Sequence, residues 1–138
     1  MLKHPFLNAP YTPGLGHFLG GFDIYDREDS LGEELCKYDP NCPGDRAVLI
    51  CRYVTYRYRN LSYRHKFVLL SVLVNALEDE DYDFSDVLAH DPESHSSLPP
   101  GWDEMKNPRA FFEDICILAT EDWVEELYKA SQEDPSTW

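Results

Sequence analysis

The chain is short of positive charge, has no long apolar run and carries no catalytic signature, and each shortage narrows its function. Twelve Lys and Arg face 26 Asp and Glu, which leaves a formal net charge of −14 over 138 residues. A surface so poor in cations repels nucleic acid and anionic membranes, because binding either one needs basic side chains. No apolar run reaches the roughly 18 residues that span a bilayer. The opening stretch, MLKHPFLNAPYTPGLGHFLGG, lacks the unbroken apolar core of a signal peptide, so the expected location is cytoplasmic.

Metal and redox chemistry find little support. The four cysteines (Cys36, Cys42, Cys51 and Cys116) show no CxxC spacing. A zinc site would have to combine Cys36, Cys42 and Cys51 with His65, at spacings unlike those of structural zinc motifs. His90 and His95 are five residues apart, off the spacing that places two imidazoles on one helical face. Asp91, Glu93 and His95 lack the glycine and closing glutamate of an EF-hand. No P-loop, HExxH, nucleophile elbow or dinucleotide fingerprint occurs. The carboxylates sit in polar runs, where nothing raises a pKa enough for general acid work. The chain therefore reads as a non-enzyme with no cofactor and no metal.

What is present is enough apolar material to fold. Hydrophobic residues make up 43% of the chain and aromatics 14%, and a domain of this length buries about two-thirds of its unfolded surface. The most apolar stretch lies within Asn60–Asp83. There Tyr63, Phe67, Leu70, Val74 and Leu77 fall on one helical stripe, widened by Val68, Leu69, Val72 and Leu73. The spacing predicts a buried helix over Ser62–Leu77, capped by Asn60 or Ser62. It should stop where Glu78-Asp79-Glu80-Asp81 opposes the helix macrodipole. A second helix follows from Asn107 as N-cap with Pro108 at the first helical position. It either runs on through Trp123 or restarts at Thr120. A short helix over Ser30–Tyr38 is expected from the Ser30/Glu33 capping box, a turn over Asp39–Gly44, and a helical turn over Ser85–His90. The segment Asp45–Arg59 is ambiguous: its β-branched and aromatic content favours a strand, whereas Ala47, Ile50, Cys51, Val54 and Tyr58 share a helical face.

The expected fold is accordingly mainly α, one single-domain helical bundle over residues 1–138 with the helix Ser62–Leu77 at its centre. Residues 1–21 read as an irregular N-terminal arm and 132–138 as a flexible tail. The alternative is an α+β fold in which Arg46–Tyr58 is a strand.

The charge is unevenly distributed. Arg52–Lys66 holds Arg52, Arg57, Arg59, Arg64 and Lys66 with no acid, so the remainder carries −19. Tyrosines interleaved with these arginines resemble a single-strand stacking platform. The acidic remainder opposes that use, and the arginines are expected to pair with carboxylates inside the domain. An acidic surface attracts basic proteins and speeds their encounter. The run Glu78, Asp79, Glu80, Asp81, Tyr82 and Asp83 is the first candidate contact, with Tyr82 and Phe84 as aromatic anchors. Glu121, Asp122, Glu125 and Glu126 are the second. A basic nucleic-acid-binding effector is the partner such a surface fits, with no direct nucleic-acid or membrane contact. The plainer reading makes both runs solvated faces kept for solubility.

Phe18-Leu19-Gly20-Gly21-Phe22-Asp23-Ile24-Tyr25-Asp26 resembles the opening signature of bacterial contact-dependent growth inhibition immunity proteins, an F-L-G, an aromatic and a following acid. The resemblance covers these residues alone, and Asp23-Ile24-Tyr25 stands where the family has an aromatic, His and Gln. It implies a small cytoplasmic protein that binds and neutralises a toxin, here a basic nuclease whose substrate site would be blocked. One alternative is a phage-encoded anti-defence protein that imitates nucleic acid with spaced carboxylates. Another is a peptide-binding module, since Leu98-Pro99-Pro100-Gly101-Trp102 is similar to the opening of a WW domain. That likeness lacks the family's groove-lining His and Thr, and Glu126 replaces its closing Pro.

Overall fold

The computed structural model describes residues 2–89, 98–99 and 101–138. The pair His90 and His95, with Asp91 and Glu93, lies outside them. The protein is mainly α, and among the described residues it contains no strand, only an isolated antiparallel bridge between Lys3 and Pro10. The helices are α1 (Glu33–Leu35), α2 (Pro43–Ile50), α3 (Tyr63–Glu78), α4 (Ser85–Leu88), α5 (Pro108–Asp122) and α6 (Val124–Ser131). No helix among the described residues is long and apolar enough to cross a membrane.

Helix α3 forms where the sequence predicts it and occupies the centre, packed against both α5 and α6. Ser62 caps it by accepting from the backbone N–H of His65, and Asp79 terminates it. Its buried stripe differs from the predicted one. Lys66, Leu69, Leu70, Leu73 and Ala76 face inward, while Tyr63, Phe67, Val74 and Leu77 are only half-buried. The rotation brings a lysine into the core. Lys66 is 1% exposed, and its ammonium donates to both Glu126 carboxylate oxygens (2.8 and 2.7 Å) and to the Arg59 carbonyl (2.9 Å).

The alternative strand over Arg46–Tyr58 is corrected by the structure. Residues 43–55 are helical, because Pro43 supplies the first helical position and Asp45 an acid in the first turn. Cys42 holds the N-cap position, and the Asp45 carboxylate accepts from the Asp39 backbone N–H. From Cys51 to Thr55 the helix widens to a π-turn, closed by Tyr56 N–H to the Cys51 carbonyl at 3.2 Å. This extra residue per turn moves Cys51 to the surface and leaves Val54 and Thr55 buried. The expected Ser30–Tyr38 helix is shorter and starts differently: Glu28–Gly32 is a π-turn leading into α1, with no side-chain cap. Ser30 lies inside that turn and donates back to the Arg27 carbonyl.

Part of the N-terminal arm is ordered against this core. Leu15–Phe22 is a 3-10 helix whose Phe18 and Phe22 are fully buried. Gly21 makes that packing possible, because any Cβ there would collide with the Tyr53 carbonyl of the π-turn. Within the stretch that resembles the immunity signature, Phe18, Leu19, Phe22 and Ile24 thus work as core, while Tyr25 and Asp26 are exposed. Trp102, from the WW-like stretch, is also buried, against Phe22 (4.8 Å) and Phe111 (5.7 Å). The residues that follow it are helical, α5 and α6, and not stranded.

Asn107 caps α5 as predicted, accepting from Ala110 N–H. Helix α5 neither runs on unbroken nor restarts at Thr120; the chain bends at Trp123, which caps α5 and opens α6. The tail expected to be flexible forms a 3-10 turn over Pro135–Thr137 and docks Trp138. The Trp138 ring lies edge-on to Phe67, and its indole N–H donates to Glu133 at 3.0 Å.

Candidate functional site

The first acidic run leaves the C-terminus of α3 and is exposed throughout, Glu78 to Asp83. None of its carboxylates pairs with a cation among the described residues. Its backbone is nonetheless fixed. Arg109, in the first turn of α5, donates to the carbonyls of Leu77 (3.2 Å), Asp79 (2.7 Å) and Tyr82 (3.3 Å). Two Asx turns tighten it further, Asp79 accepting from Asp81 N–H and Asp83 from Ser85 N–H. The guanidinium also covers the Phe84 ring at 4.9 Å. Phe84 itself is buried against Phe112, so it anchors the loop and offers no contact surface. Tyr82 remains exposed, beside Phe84.

The second run divides. Glu121, Asp122 and Glu125 are exposed and pair with no cation among the described residues. Glu126 holds Lys66 and is a structural partner. The structure does not bring the two runs together. Arg109 sits against the first, and Glu121 lies twelve residues further along α5, about 18 Å away at 1.5 Å per residue.

The basic segment is largely engaged inside the domain. Lys66 binds Glu126, Arg64 binds Glu133 at 2.9 Å, and Arg52 approaches Glu34 at 3.8 Å. Arg59 stacks on Tyr56 at 3.8 Å and donates to its carbonyl. Glu133 gathers three donors, Tyr63, Arg64 and Trp138, and the Tyr63 hydroxyl, ahead of Arg64, holds its carboxyl below the ordinary carboxylate range. Arg46 is buried between α2 and α5, where it donates to Asp114 and to the Pro40 and Asn41 carbonyls.

Sequence reasoning passed over one surface. Between the π-turn and the end of α5 lies a groove of about 560 Å³, lined by Cys51, Tyr56, Arg59, Leu118, Glu121 and Asp122. The readable signals were Tyr56, off the helical face of Ala47, Ile50, Cys51, Val54 and Tyr58, and Ile117, which stays exposed on α5. No cluster of three or more His, Cys, Asp or Glu able to hold a metal occurs among the described residues. Cys36, Cys42 and Cys51 are exposed free thiols. In comparisons with known proteins, no family model, curated protein or solved structure matches this chain.

Proposed function

We propose that this chain is an acidic stoichiometric inhibitor of the immunity type, acting in the cytoplasm on a basic effector whose substrate is a polyanion. The observation that supports this most is the pinned acidic loop. Glu78, Asp79, Glu80, Asp81 and Asp83 project from a backbone that Arg109 fastens at three carbonyls, and no cation among the described residues neutralises them. A fixed loop loses less conformational entropy on binding than a mobile one, and its field steers a cationic cleft toward it. Seated there, the loop would exclude the polyanionic substrate by occupying its site. The Phe18–Asp26 resemblance points to the same class of protein.

The test is a capture experiment at low and high salt, with wild type and an E78Q/D79N/E80Q/D81N/D83N variant, followed by titration of the captured partner's activity. The expected result is one basic partner, released by salt and by the variant, whose action on nucleic acid ends at one equivalent of inhibitor. A partner held equally well by the neutralised variant would overturn the reading. Capture of several unrelated nucleic-acid binders would replace it with nucleic-acid mimicry.

A further inference from the structure

The two ends of α5 differ in what a partner would meet. At its start the acids stand on a loop with one exposed aromatic, Tyr82. At its end the acids stand among large apolar side chains that stay more than half exposed. Tyr56 is 60% exposed, Ile117 55%, Val124 56% and Tyr128 67%. Ile117 lies one turn before Glu121 on the same face of α5, and Val124 follows one turn later, just past the bend at Trp123. Tyr128 is one turn beyond Val124 on α6. Tyr56 forms the opposite lip of the groove, across from Leu118, Glu121 and Asp122. Protein-binding surfaces combine these parts: an apolar, partly aromatic centre and a polar rim.

We infer that this groove, and the α5–α6 face beside it, docks a segment of a partner protein in which cationic side chains alternate with apolar ones. The cations would meet Glu121, Asp122 and Glu125, and the apolar side chains Tyr56, Ile117 and Val124. Charge decides the class of occupant. Among the described residues the three exposed carboxylates have no cation of their own, and Arg59, on the groove wall, is turned onto Tyr56 and tied to its carbonyl. A second copy of this chain would bring a net charge of −14 against the same acids, which disfavours a like-to-like dimer here. The volume is within the range of about 300–1,000 Å³ that ligand-sized clefts occupy. One wall is the Cys51–Thr55 π-turn, a distortion that recurs at functional sites. The inference goes beyond the inhibitor reading, since it needs a basic and apolar segment and no particular activity in the partner.

The experiment is an amide-resolved NMR titration of the full chain with three synthetic peptides. The probe is acetyl-Leu-Arg-Leu-Arg-Leu-amide. The controls keep only one property each, acetyl-Gly-Arg-Gly-Arg-Gly-amide for charge and acetyl-Leu-Gln-Leu-Gln-Leu-amide for apolar surface. Saturable shifts are expected at Tyr56, Leu118, Glu121 and Asp122, with the probe binding about tenfold more tightly than either control. An E121Q/D122N variant should lose about fivefold in probe affinity, and E80Q/D81N should lose nothing. These positions are exposed, and the spectrum itself reports whether each variant is folded. Absence of saturable shifts, shifts confined to residues 79–83, or equal binding of the charge-only peptide would each overturn the inference. None of these outcomes bears on whether the loop variant releases a captured partner, so the two readings fail separately.

Discussion

The acids at the two ends of α5 look alike in sequence and are used differently. Before α5, Glu78 to Asp83 engage the fold through backbone carbonyls and two short Asx turns, and their charge is left outward. At and beyond the end of α5, Glu126 and Glu133 are drawn into the structure by Lys66, Arg64 and Tyr63, while Glu121, Asp122 and Glu125 just before them stay free of cations among the described residues. The difference teaches that an acidic stretch has no single role. A carboxylate becomes structural when a donor fixed in the fold faces it, Lys66 for Glu126 and Arg64 with Tyr63 for Glu133, and the run it belongs to does not decide this.

The comparison can be broken most forcefully at Glu126. Glu126→Gln should destabilise the protein by about 3 kcal/mol, because it leaves the buried Lys66 ammonium with no opposing charge, facing only neutral acceptors, the amide oxygen and the Arg59 carbonyl, and the Trp123 ring. Glu80→Gln should change stability by less than about 0.5 kcal/mol. Denaturant melts of both would decide it. Equal small effects would mean that Lys66 finds water and that the two ends are not different in kind. The double change Lys66→Met with Glu126→Leu should recover most of the loss, since an apolar pair of similar volume often replaces a buried ion pair at no cost.

A smaller effect is expected at the other end. Arg109→Ala removes three hydrogen bonds to the loop and should cost about 1–2 kcal/mol. Its sharper readout is hydrogen exchange, which should rise at residues 79–85 and leave α6 unchanged. If exchange rises at both ends, the loop is not a separately fastened unit.

The smallest effect is in the pH dependence. The Tyr63 hydroxyl, ahead of Arg64, depresses the folded-state pKa of Glu133 below its ordinary value of 4.5. Stability from this carboxylate is therefore present above pH 4.5 and lost as the pH falls through the lower folded value. Glu133→Gln should be less stable than wild type near neutrality, and the gap should close as the pH drops below 4.5. Thermal melts across that window would show a constant gap if the contacts from Tyr63, Arg64 and Trp138 together contributed nothing.

Much of the helical frame was legible because its signals are local. Ser62 and Asn107 are side-chain caps, Pro108 sets the start of α5, and the acids after Leu77 end α3. Pro43 was an equally local signal for α2, yet the β-branched and aromatic residues after it made a strand look competitive. Other features depend on distance. Lys66 meets Glu126 sixty residues away, and Arg64 meets Glu133 across sixty-nine. No spacing rule reports such pairs. The one available hint was Lys66 itself, which falls on a helical stripe with Leu69, Leu70 and Leu73 and so demands a buried partner. The π-turn, the bend at Trp123 and the docking of Trp138 left no comparable mark. The groove left only the exposed apolar residues Tyr56 and Ile117 as a mark, since its walls come from segments more than fifty residues apart.

The position of Cys51 gives the groove a chemical handle. Its thiol is exposed on the groove wall, whereas the exposed thiols of Cys36 and Cys42 belong to other elements. Alkylation rates at the three sites would thus form an internal ratio. An occupant seated between the π-turn and α5 slows the reaction at Cys51 and leaves the two reference thiols reacting as before. The protein therefore carries its own footprinting reporter, and occupancy can be followed by mass spectrometry with no engineered label.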